Sequence, residues 1–216
     1  MKYVRPLILL LNISKPKTII QFNTPSQIEI RGKDLNFQSK ERFFNGYEIK
    51  KRGTYVIKIF YQLGTQNKRN LLIPNSSITK IIQWGNTILN WQYAFLNCSN
   101  LKYIKTKDTP RLLKVSAMFS GCNNLKNIKN IENWNVSNVT DLTYMFYDCY
   151  RFNGDLTKWD VSNVKFTDYV FYNCYNFEQD LSNWNLINLT PPAQFMFLNC
   201  KNPNTELVKT LKLHSL

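Results

Sequence analysis

The chain has 216 residues, a net charge of +14 and 44% hydrophobic residues, a composition typical of a globular protein that excludes a disordered one. Its only histidine is His214, near the C-terminus, and it contains no nucleophile elbow, phosphate-binding glycine loop or zinc-protease motif. We therefore expect a protein that is not an enzyme and that has no cofactor and no metal site.

The first 80 residues carry the period-two alternation of β-strands at residues 18–22, 27–30 and 54–61. Turn pairs such as Asn45-Gly46 and Arg52-Gly53 lie between these segments. This pattern predicts a small antiparallel sheet or sandwich over residues 1–80. A segment of about 60 residues folds alone only marginally, so we expect this region to pack on the next one as a cap.

Residues 1–12 contain a short apolar run that is too short to cross a bilayer. No small-residue cleavage site and no lipid-attachment cysteine follows it. We interpret it as a buried first strand, with a signal peptide as the alternative, and predict no integral membrane segment.

From about residue 81 the chain repeats a Phe-x-x-Cys pattern five times. The copies lie at residues 95–98, 119–122, 146–149, 171–174 and 197–200, and are called rungs one to five below. Successive copies are 24, 27, 25 and 26 residues apart. The 27-residue step is the longest because two extra residues precede Trp134. A period of this length predicts a stack of rungs over residues 81–203, followed by a tail at 204–216.

Within a rung, apolar residues lie four and one before the Phe, at the Phe, and three after it, as in Leu142, Met145, Phe146 and Cys149. This spacing is typical of one side of an α-helix, and Thr190 before two prolines is typical of a helix start. Residues 177–181 alternate after the Cys and predict a short parallel strand in each rung. The predicted fold is an α+β repeat solenoid of about 25 residues per rung, with a short helix and a short parallel strand in each rung and the antiparallel β cap.

Residues 145–164 carry the pattern Met-Phe-x-x-Cys-x-x-Phe-Asn-x-Asp-Leu-x-x-Trp-Asp-Val-Ser-Asn-Val, and similar blocks begin at Trp134 and Trp184. This pattern resembles the BspA-like leucine-rich repeat, a family of bacterial, mycoplasma and protist surface proteins. The resemblance implies an adhesion or interaction scaffold without catalytic activity. Residues 47–59 are similar to the closing hairpin of polycystic-kidney-disease-type β-sandwiches, which precede the repeats in some of these proteins.

The repeated Phe and Cys take the same inward position in every rung, so we predict a packed core ladder with reduced thiols. Disulfides between neighbouring rungs are the alternative, but parallel side chains give poor bridge geometry. The predicted ladder consists of Phe95, Phe119, Phe146, Phe171, Phe197, Cys98, Cys122, Cys149, Cys174 and Cys200.

Charge is unevenly distributed along the chain. Residues 1–130 contain 22 Lys or Arg and 5 Asp or Glu, whereas residues 131–200 contain 3 and 8. A basic region of this size attracts acidic protein surfaces, anionic lipid or nucleic acid, although any single cluster is also explained as a solvated turn. The predicted polyanion-binding residues are Lys50, Lys51, Arg52, Lys102, Lys105, Lys107, Arg111 and Lys114.

Tyrosines recur in rungs three and four at positions two before, one after and four after the Phe. On the predicted helix these positions point away from the core or flank it, so stacking would align them into a surface patch. The alternative is that some of them only cover the edge of the core. The predicted partner-binding residues are Tyr144, Tyr147, Tyr150, Tyr169, Tyr172 and Tyr175.

These features predict a non-enzymatic interaction or structural protein that binds other proteins through its repeat surface and its basic cap. One form of this role is a fixed subunit of a large assembly, such as a virion or a ribonucleoprotein particle, which the missing signal peptide favours. The alternative is a surface-displayed, adhesin-like module, which the family resemblance implies.

Overall fold

Seven strands lie in the described part of residues 6–85 in the computed structural model of this chain. They are β1 (Leu7–Ile13), β2 (Thr18–Ile20), β3 (Ser26–Gly32), β4 (Gln38–Phe43), β5 (Tyr47–Ile49), β6 (Gly53–Tyr61) and β7 (Ile78–Gln83). The structure describes residues 6–13, 18–20, 26–32, 38–43, 47–49, 53–61, 77–85, 88–190, 193, 195–201 and 207.

Five of these strands form one antiparallel sheet in the order β4-β3-β6-β1-β7, and β2 pairs with β5. The leading apolar segment of the chain is β1, which pairs with both β6 and β7. Its residues Leu9, Leu11 and Ile13 are buried because they alternate toward one side of the sheet. After β7, the buried Trp84 packs edge-on against Trp91 and Phe95, so the core of the sheet continues into that of the rungs.

The segments predicted as helices are instead chains of β-turns, so the predicted α+β solenoid is wrong. Residues 88–190 and 195–201 contain no α-helix, only a 3₁₀-helix at Ile131–Asn133. In rung three, N–H groups donate to the carbonyl three residues back: Met145 to Leu142 (2.9 Å), Tyr147 to Tyr144 (3.1 Å) and Cys149 to Phe146 (3.0 Å). The intervening N–H groups reach the next rung: Tyr144 to Asp168 (3.0 Å), Phe146 to Val170 (3.0 Å) and Asp148 to Tyr172 (2.9 Å).

Backbone conformation explains why this arrangement resembles a helix in sequence. The residues two before and two after each Phe have positive φ, as at Tyr144 (58°) and Asp148 (56°). They are the third residues of the turns that begin at Leu142 and Phe146, the position where a type II turn requires positive φ. The backbone conformation therefore repeats every four residues. Side chains four before, one before, at and three after the Phe point inward, as they would on one face of a helix.

Strands within the rungs are fewer than predicted. β8 (Ile88–Asn90) pairs in parallel with β10 (Arg111–Lys114), and β9 (Tyr103–Ile104) pairs in parallel with β11 (Asn127–Ile128). Rungs three and four share only an isolated parallel bridge between Asp141 and Phe166, and residues 177–181 form no strand. Most of each rung is thus held by turns and by single cross-rung hydrogen bonds.

The core is a column of stacked aromatic rings beside a column of thiols. Consecutive rung Phe rings lie 5.5–5.9 Å apart with interplanar angles of 4–12°. Cys122, Cys149, Cys174 and Cys200 each donate their thiol to the Phe carbonyl of the preceding rung, at 3.0–3.1 Å. All five cysteines are unpaired, and only Cys200 is partly exposed. Burial raises the pKa of the Cys149 and Cys174 thiols well above their usual range and that of Cys200 to about 12.

Short turns capped by carboxylates follow the Cys in rungs three and four. Asp155, Asp160 and Asp180 each accept a hydrogen bond from the backbone N–H two residues later, at 2.9–3.1 Å. The hydroxyls of Thr157 and Ser162, followed by these backbone bonds, lower the pKa of Asp155 and Asp160. For the pKa of Asp180 the backbone bond is the larger cause of the lowering and the Ser182 hydroxyl the smaller one. Asn135 and Asn185 close equivalent turns with an uncharged amide oxygen.

The thiol column predicts a graded reactivity. The denatured protein should titrate five free thiols, whereas in the native protein Cys200 should react first and the other four slowly, because only the Cys200 sulfur is partly exposed to a reagent. Labelling with a thiol reagent followed by mass spectrometry measures this order, with Cys200→Ala as the control. Cys149→Ser should cost about 1 kcal/mol, because the hydroxyl retains the Phe119 carbonyl as its acceptor. Rapid native labelling of Cys149 or Cys174 would contradict the buried assignment.

The capped turns predict a contribution to stability that is lost in acid. A carboxyl group whose pKa is lowered by folding stabilises the native state above its unfolded pKa, near 3.8 here, and loses this effect as pH falls through the folded value. The triple variant Asp155→Asn, Asp160→Asn, Asp180→Asn keeps the acceptor oxygens but cannot titrate. Between neutral pH and about pH 3, the denaturant midpoint of this variant should therefore fall less than that of the unchanged chain. An equal change in both proteins would contradict this role.

Candidate functional site

Six tyrosines of rungs three and four form three stacked pairs on the surface of the turn chains. Tyr144 stacks on Tyr169 with ring centroids 4.9 Å apart, Tyr147 on Tyr172 at 5.1 Å, and Tyr150 on Tyr175 at 5.2 Å. The first two pairs are nearly parallel, with interplanar angles of 4° and 7°. We call these six residues the tyrosine face.

The tyrosine face is partly exposed and ends sharply at rung two. Tyr144 is 39% exposed and Tyr175 50%, and the other four members are half-buried. Toward rung five it is extended by Phe195, which is 53% exposed and lies 5.4 Å from Tyr169. In rung two the equivalent positions hold small residues, among them the buried Ala117, so the aromatic surface stops there.

Two of these tyrosines adopt a backbone conformation that suits them poorly. Tyr144 and Tyr169 have φ of 58° and 57°, in the left-handed region that bulky residues seldom occupy. Two residues after the Phe, where the same conformation recurs, the five rungs use only residues that tolerate it: Asn97, Gly121, Asp148, Asn173 and Asn199. The aromatic residues two before the Phe therefore run against local backbone preference.

Two phenol groups of this face have a raised pKa. Desolvation, Tyr169 and Asp168 raise the pKa of Tyr144, and desolvation, Asp148 and neighbouring phenols raise the pKa of Tyr147. Beside them, Asn173 donates its amide to Asp148 at 2.8 Å and accepts that of Asn199 at 2.7 Å. The surface thus combines apolar ring edges with hydroxyl and amide groups, the chemistry of a protein-binding surface.

The predicted basic residues fall into two groups. Lys50, Lys51 and Arg52 lie outside the described residues, whereas the rest are exposed on rungs one and two: Lys102, Lys105, Lys107, Arg111 and Lys114. The only carboxylate of residues 81–130 is Asp108, and it accepts the backbone N–H groups of Trp84 (3.1 Å) and Gly85 (3.0 Å). The Asp108 carboxylate thus links rung one to the segment that directly follows β7.

Sequence analysis missed three residues of this basic surface. Tyr103 is 44% exposed, and the ammonium groups of Lys105 and Lys126 lie 5.5 and 5.8 Å from its ring centroid. Lys129 is also exposed and comes directly after the neighbouring strand β11. The signal that could have revealed them is the shared register of Lys102 with Lys126, both one residue after the core Leu101 and Leu125.

The described residues contain neither a cluster of metal ligands nor a membrane-spanning helix. Within the described residues, no group of three or more His, Cys, Asp or Glu side chains could hold a metal ion. In the same part of the chain no helix combines the length and the apolar character needed to cross a membrane.

Comparison with known proteins places the repeats in a family. No curated protein and no solved structure matches the chain. Residues 89–210, more than half of the chain, match the model of a family described as "Mycoplasma protein of unknown function, DUF285". The chain with its five Phe-to-Cys rungs belongs to the DUF285 family.

Proposed function

We propose that this chain is a non-catalytic interaction protein that binds another protein through the tyrosine face. The observation that carries the proposal is the placement of Tyr144 and Tyr169 in the left-handed backbone region on a partly exposed surface. Departures from local preference concentrate at functional sites, where the residue type serves something other than folding.

Ring contacts offset the backbone cost of these two residues. A non-glycine residue in the left-handed conformation costs about 1–2 kcal/mol, and each aromatic pair returns about 0.5–1.5 kcal/mol. Tyr144 and Tyr169 contact each other and also Tyr147, Tyr172 and Phe195, so the tyrosine face supports itself by ring packing. Such a surface suits binding, because tyrosine offers a large contact area with little loss of side-chain entropy.

The BspA-like relationship is part of this proposal. The Met-Phe-x-x-Cys pattern and the tryptophan blocks support it, and it implies an adhesin-like module displayed at a surface as the alternative role. The resemblance of residues 47–59 to a polycystic-kidney-disease-type hairpin belongs to the same alternative, but β5 pairs with β2, and β6 pairs with β1 and β3, so these two strands do not form a hairpin with each other. A fixed subunit of a large assembly would use the tyrosine face in the same way.

Binding of a polyanion at rungs one and two is a second candidate function. Seven exposed cations lie in residues 81–130, and Asp108, the one acidic residue there, is engaged by two backbone N–H groups. A positive surface without a neighbouring counter-charge attracts phosphate-rich or carboxylate-rich partners in a salt-dependent manner.

The tyrosine face predicts a loss of partner binding without unfolding. In the variant Tyr144→Asn, Tyr169→Asn, asparagine tolerates positive φ, so the fold should lose no more than about 1 kcal/mol per site. Binding should fall by about 1–2 kcal/mol per residue, because interface aromatics contribute this much on truncation. Quantitative co-purification from the native source, with mass spectrometry of the bound proteins, measures the effect.

Tyr93→Asn is the matched control, because Tyr93 of rung one has the same repeat position, backbone conformation (φ 60°) and exposure (40%) but lies outside the tyrosine face. A partner recovered with the unchanged chain and the control, but not with the double variant, supports the proposal. Unfolding of the double variant, or unchanged recovery of every partner, would contradict it.

The basic region predicts salt-dependent binding to polyanions. Reversing charge at Lys102, Lys105 and Lys107, or at Lys50, Lys51 and Arg52, should weaken retention on single-stranded RNA or an anionic resin, and added salt should do the same. The control reverses three exposed cations of the later repeats, Arg151, Lys158 and Lys165, with the same change in net charge. Equal loss in the control, or retention insensitive to salt, would show that no defined polyanion surface exists at rungs one and two.

A further inference from the structure

The segments that follow the Cys of rungs one to four form one side of the stack, and cross-rung hydrogen bonds align them. Lys126 donates its backbone N–H to the Lys102 carbonyl at 2.8 Å, and Asn153 donates to the Lys126 carbonyl at 3.0 Å. Glu178 donates its N–H to the side-chain oxygen of Asn153 at 3.2 Å. The residues four after each Cys therefore form a column across four rungs. We call the side of the molecule that carries this column, residues 99–109, 123–133, 150–158 and 175–183, the post-Cys face.

Charge on the post-Cys face changes sign between rungs two and three. The column reads lysine, lysine, asparagine and glutamate in rungs one to four. Exposed charges that follow the column along the chain keep the same order, with cations in rungs one and two and carboxylates in rungs three and four: Lys105, Lys129, Asp155 and Asp180. Over the whole face, rungs one and two hold five cations and two carboxylates, whereas rungs three and four hold two cations and three carboxylates.

The contacts of the carboxylates leave their charge available to a partner. Glu178 forms an ion pair with Lys201 of rung five at 2.7 Å, but both side chains are exposed, and exposed ion pairs contribute little. Asp155 and Asp180 accept hydrogen bonds from the backbone N–H two residues later, and an uncharged donor does not neutralise a carboxylate. A cationic partner can therefore gain from all three.

An apolar depression lies in the positive half of the post-Cys face. It has a volume of about 380 Å³, opens beside β9 and β11, and exposes a mostly apolar surface that Tyr103, Ile104 and Ile128 help to line. Tyr103 is itself 44% exposed. An exposed aromatic ring beside an apolar surface is typical of the centre of a protein interface, so the face offers apolar contact in addition to its charges.

The sign change makes the post-Cys face complementary to itself. In an antiparallel arrangement of two copies, a two-fold axis between rungs two and three places rung one against rung four and rung two against rung three. Opposite charges then meet on both sides of the axis, in the pairs Lys102 with Glu178, Lys105 with Asp180, and Lys129 with Asp155. In a parallel arrangement each of these charges would face its own equivalent and repel it.

We propose that two copies of this chain associate through the post-Cys face as an antiparallel dimer with two-fold symmetry. Four rungs at the spacing of strands span only about 20 Å, so the dimer is small in contact area, weak and sensitive to salt. The tyrosine face lies on a different segment of each rung, so binding of another protein there does not require the dimer. A polyanion at rungs one and two competes with the second copy, because both need the same lysines.

Sedimentation velocity of the full chain between about 1 µM and about 1 mM measures this association. We expect a monomer–dimer equilibrium whose dissociation constant rises about tenfold or more between about 50 mM and about 500 mM salt. An acidic variant, Lys105→Glu with Lys129→Glu, and a basic variant, Asp155→Lys with Asp180→Lys, should each remain monomeric, because each face then carries one sign. Their equimolar mixture should form a heterodimer, because the two faces are again complementary.

Matched variants separate this interface from general effects of charge and folding. Arg111→Glu with Lys114→Glu makes the same change in net charge as the acidic variant, at exposed positions of β10 outside the post-Cys face, and should raise the dissociation constant by less than about threefold. Because two of the carboxylates cap turns, Asp155→Asn with Asp180→Asn keeps the acceptor oxygens, and it should weaken the dimer about tenfold even if the basic variant fails to fold.

Four results would overturn the proposal. They are a chain that stays monomeric at every concentration, assembly that continues beyond a dimer, a loss of affinity in the β10 variant as large as in the acidic variant, and no heterodimer from two variants that circular dichroism shows to be folded. The variant Tyr144→Asn with Tyr169→Asn should still form the dimer. Loss of the dimer in that variant would assign self-association to the tyrosine face instead.

Discussion

Hydrogen bonds between the backbones of successive rungs are the interaction on which the rest of this structure depends. In the turn chains, every second N–H group closes a tight turn, and the others donate to the next rung, as Phe95 does to Met118 and Phe119 to Met145. This alternation satisfies the backbone of a segment that is neither helix nor strand, as a buried chain requires. It also fixes the register between rungs, so equivalent side chains stack directly on one another.

Stacking of equivalent positions accounts for both the interior and the surface of the repeats. Inside, it aligns the Phe rings at 5.5–5.9 Å and directs each thiol at the carbonyl of the preceding rung. Outside, it pairs the tyrosines of rungs three and four, and the lysines of rungs one and two. A single substitution in one rung should thus change mainly the packing against the two neighbouring rungs, as in other repeat proteins.

The sequence was sufficient to find the repeats, their register and the inward and outward positions, because these follow from the recurrence of residues such as Phe146 and Cys149. It was insufficient to choose the backbone conformation, since residues at a spacing of three and four point inward both in a helix and in turns that repeat every four residues. The distinguishing signal lay two residues after each Phe, where all five rungs carry Asn, Gly or Asp, residues that accept positive φ. The pairing of Tyr144 with Tyr169 could be predicted from register alone. The path of the chain through β11 could not, because it depends on the conformation of the two extra residues before Ile131.

The cross-rung bonds of the turn chains all point the same way, from the N–H of an earlier rung to the carbonyl of the later one, as from Trp91 to Lys114 and from Asn173 to Leu198. Their dipoles add along the stack, as peptide dipoles do along a helix. This side of the molecule is therefore electrically polarised, with partial negative charge at the rung-one carbonyls and partial positive charge at the rung-five amides. Any polypeptide that continued this side beyond Phe197 would have to present carbonyl oxygens, so the stack can be extended only head to tail and in one direction.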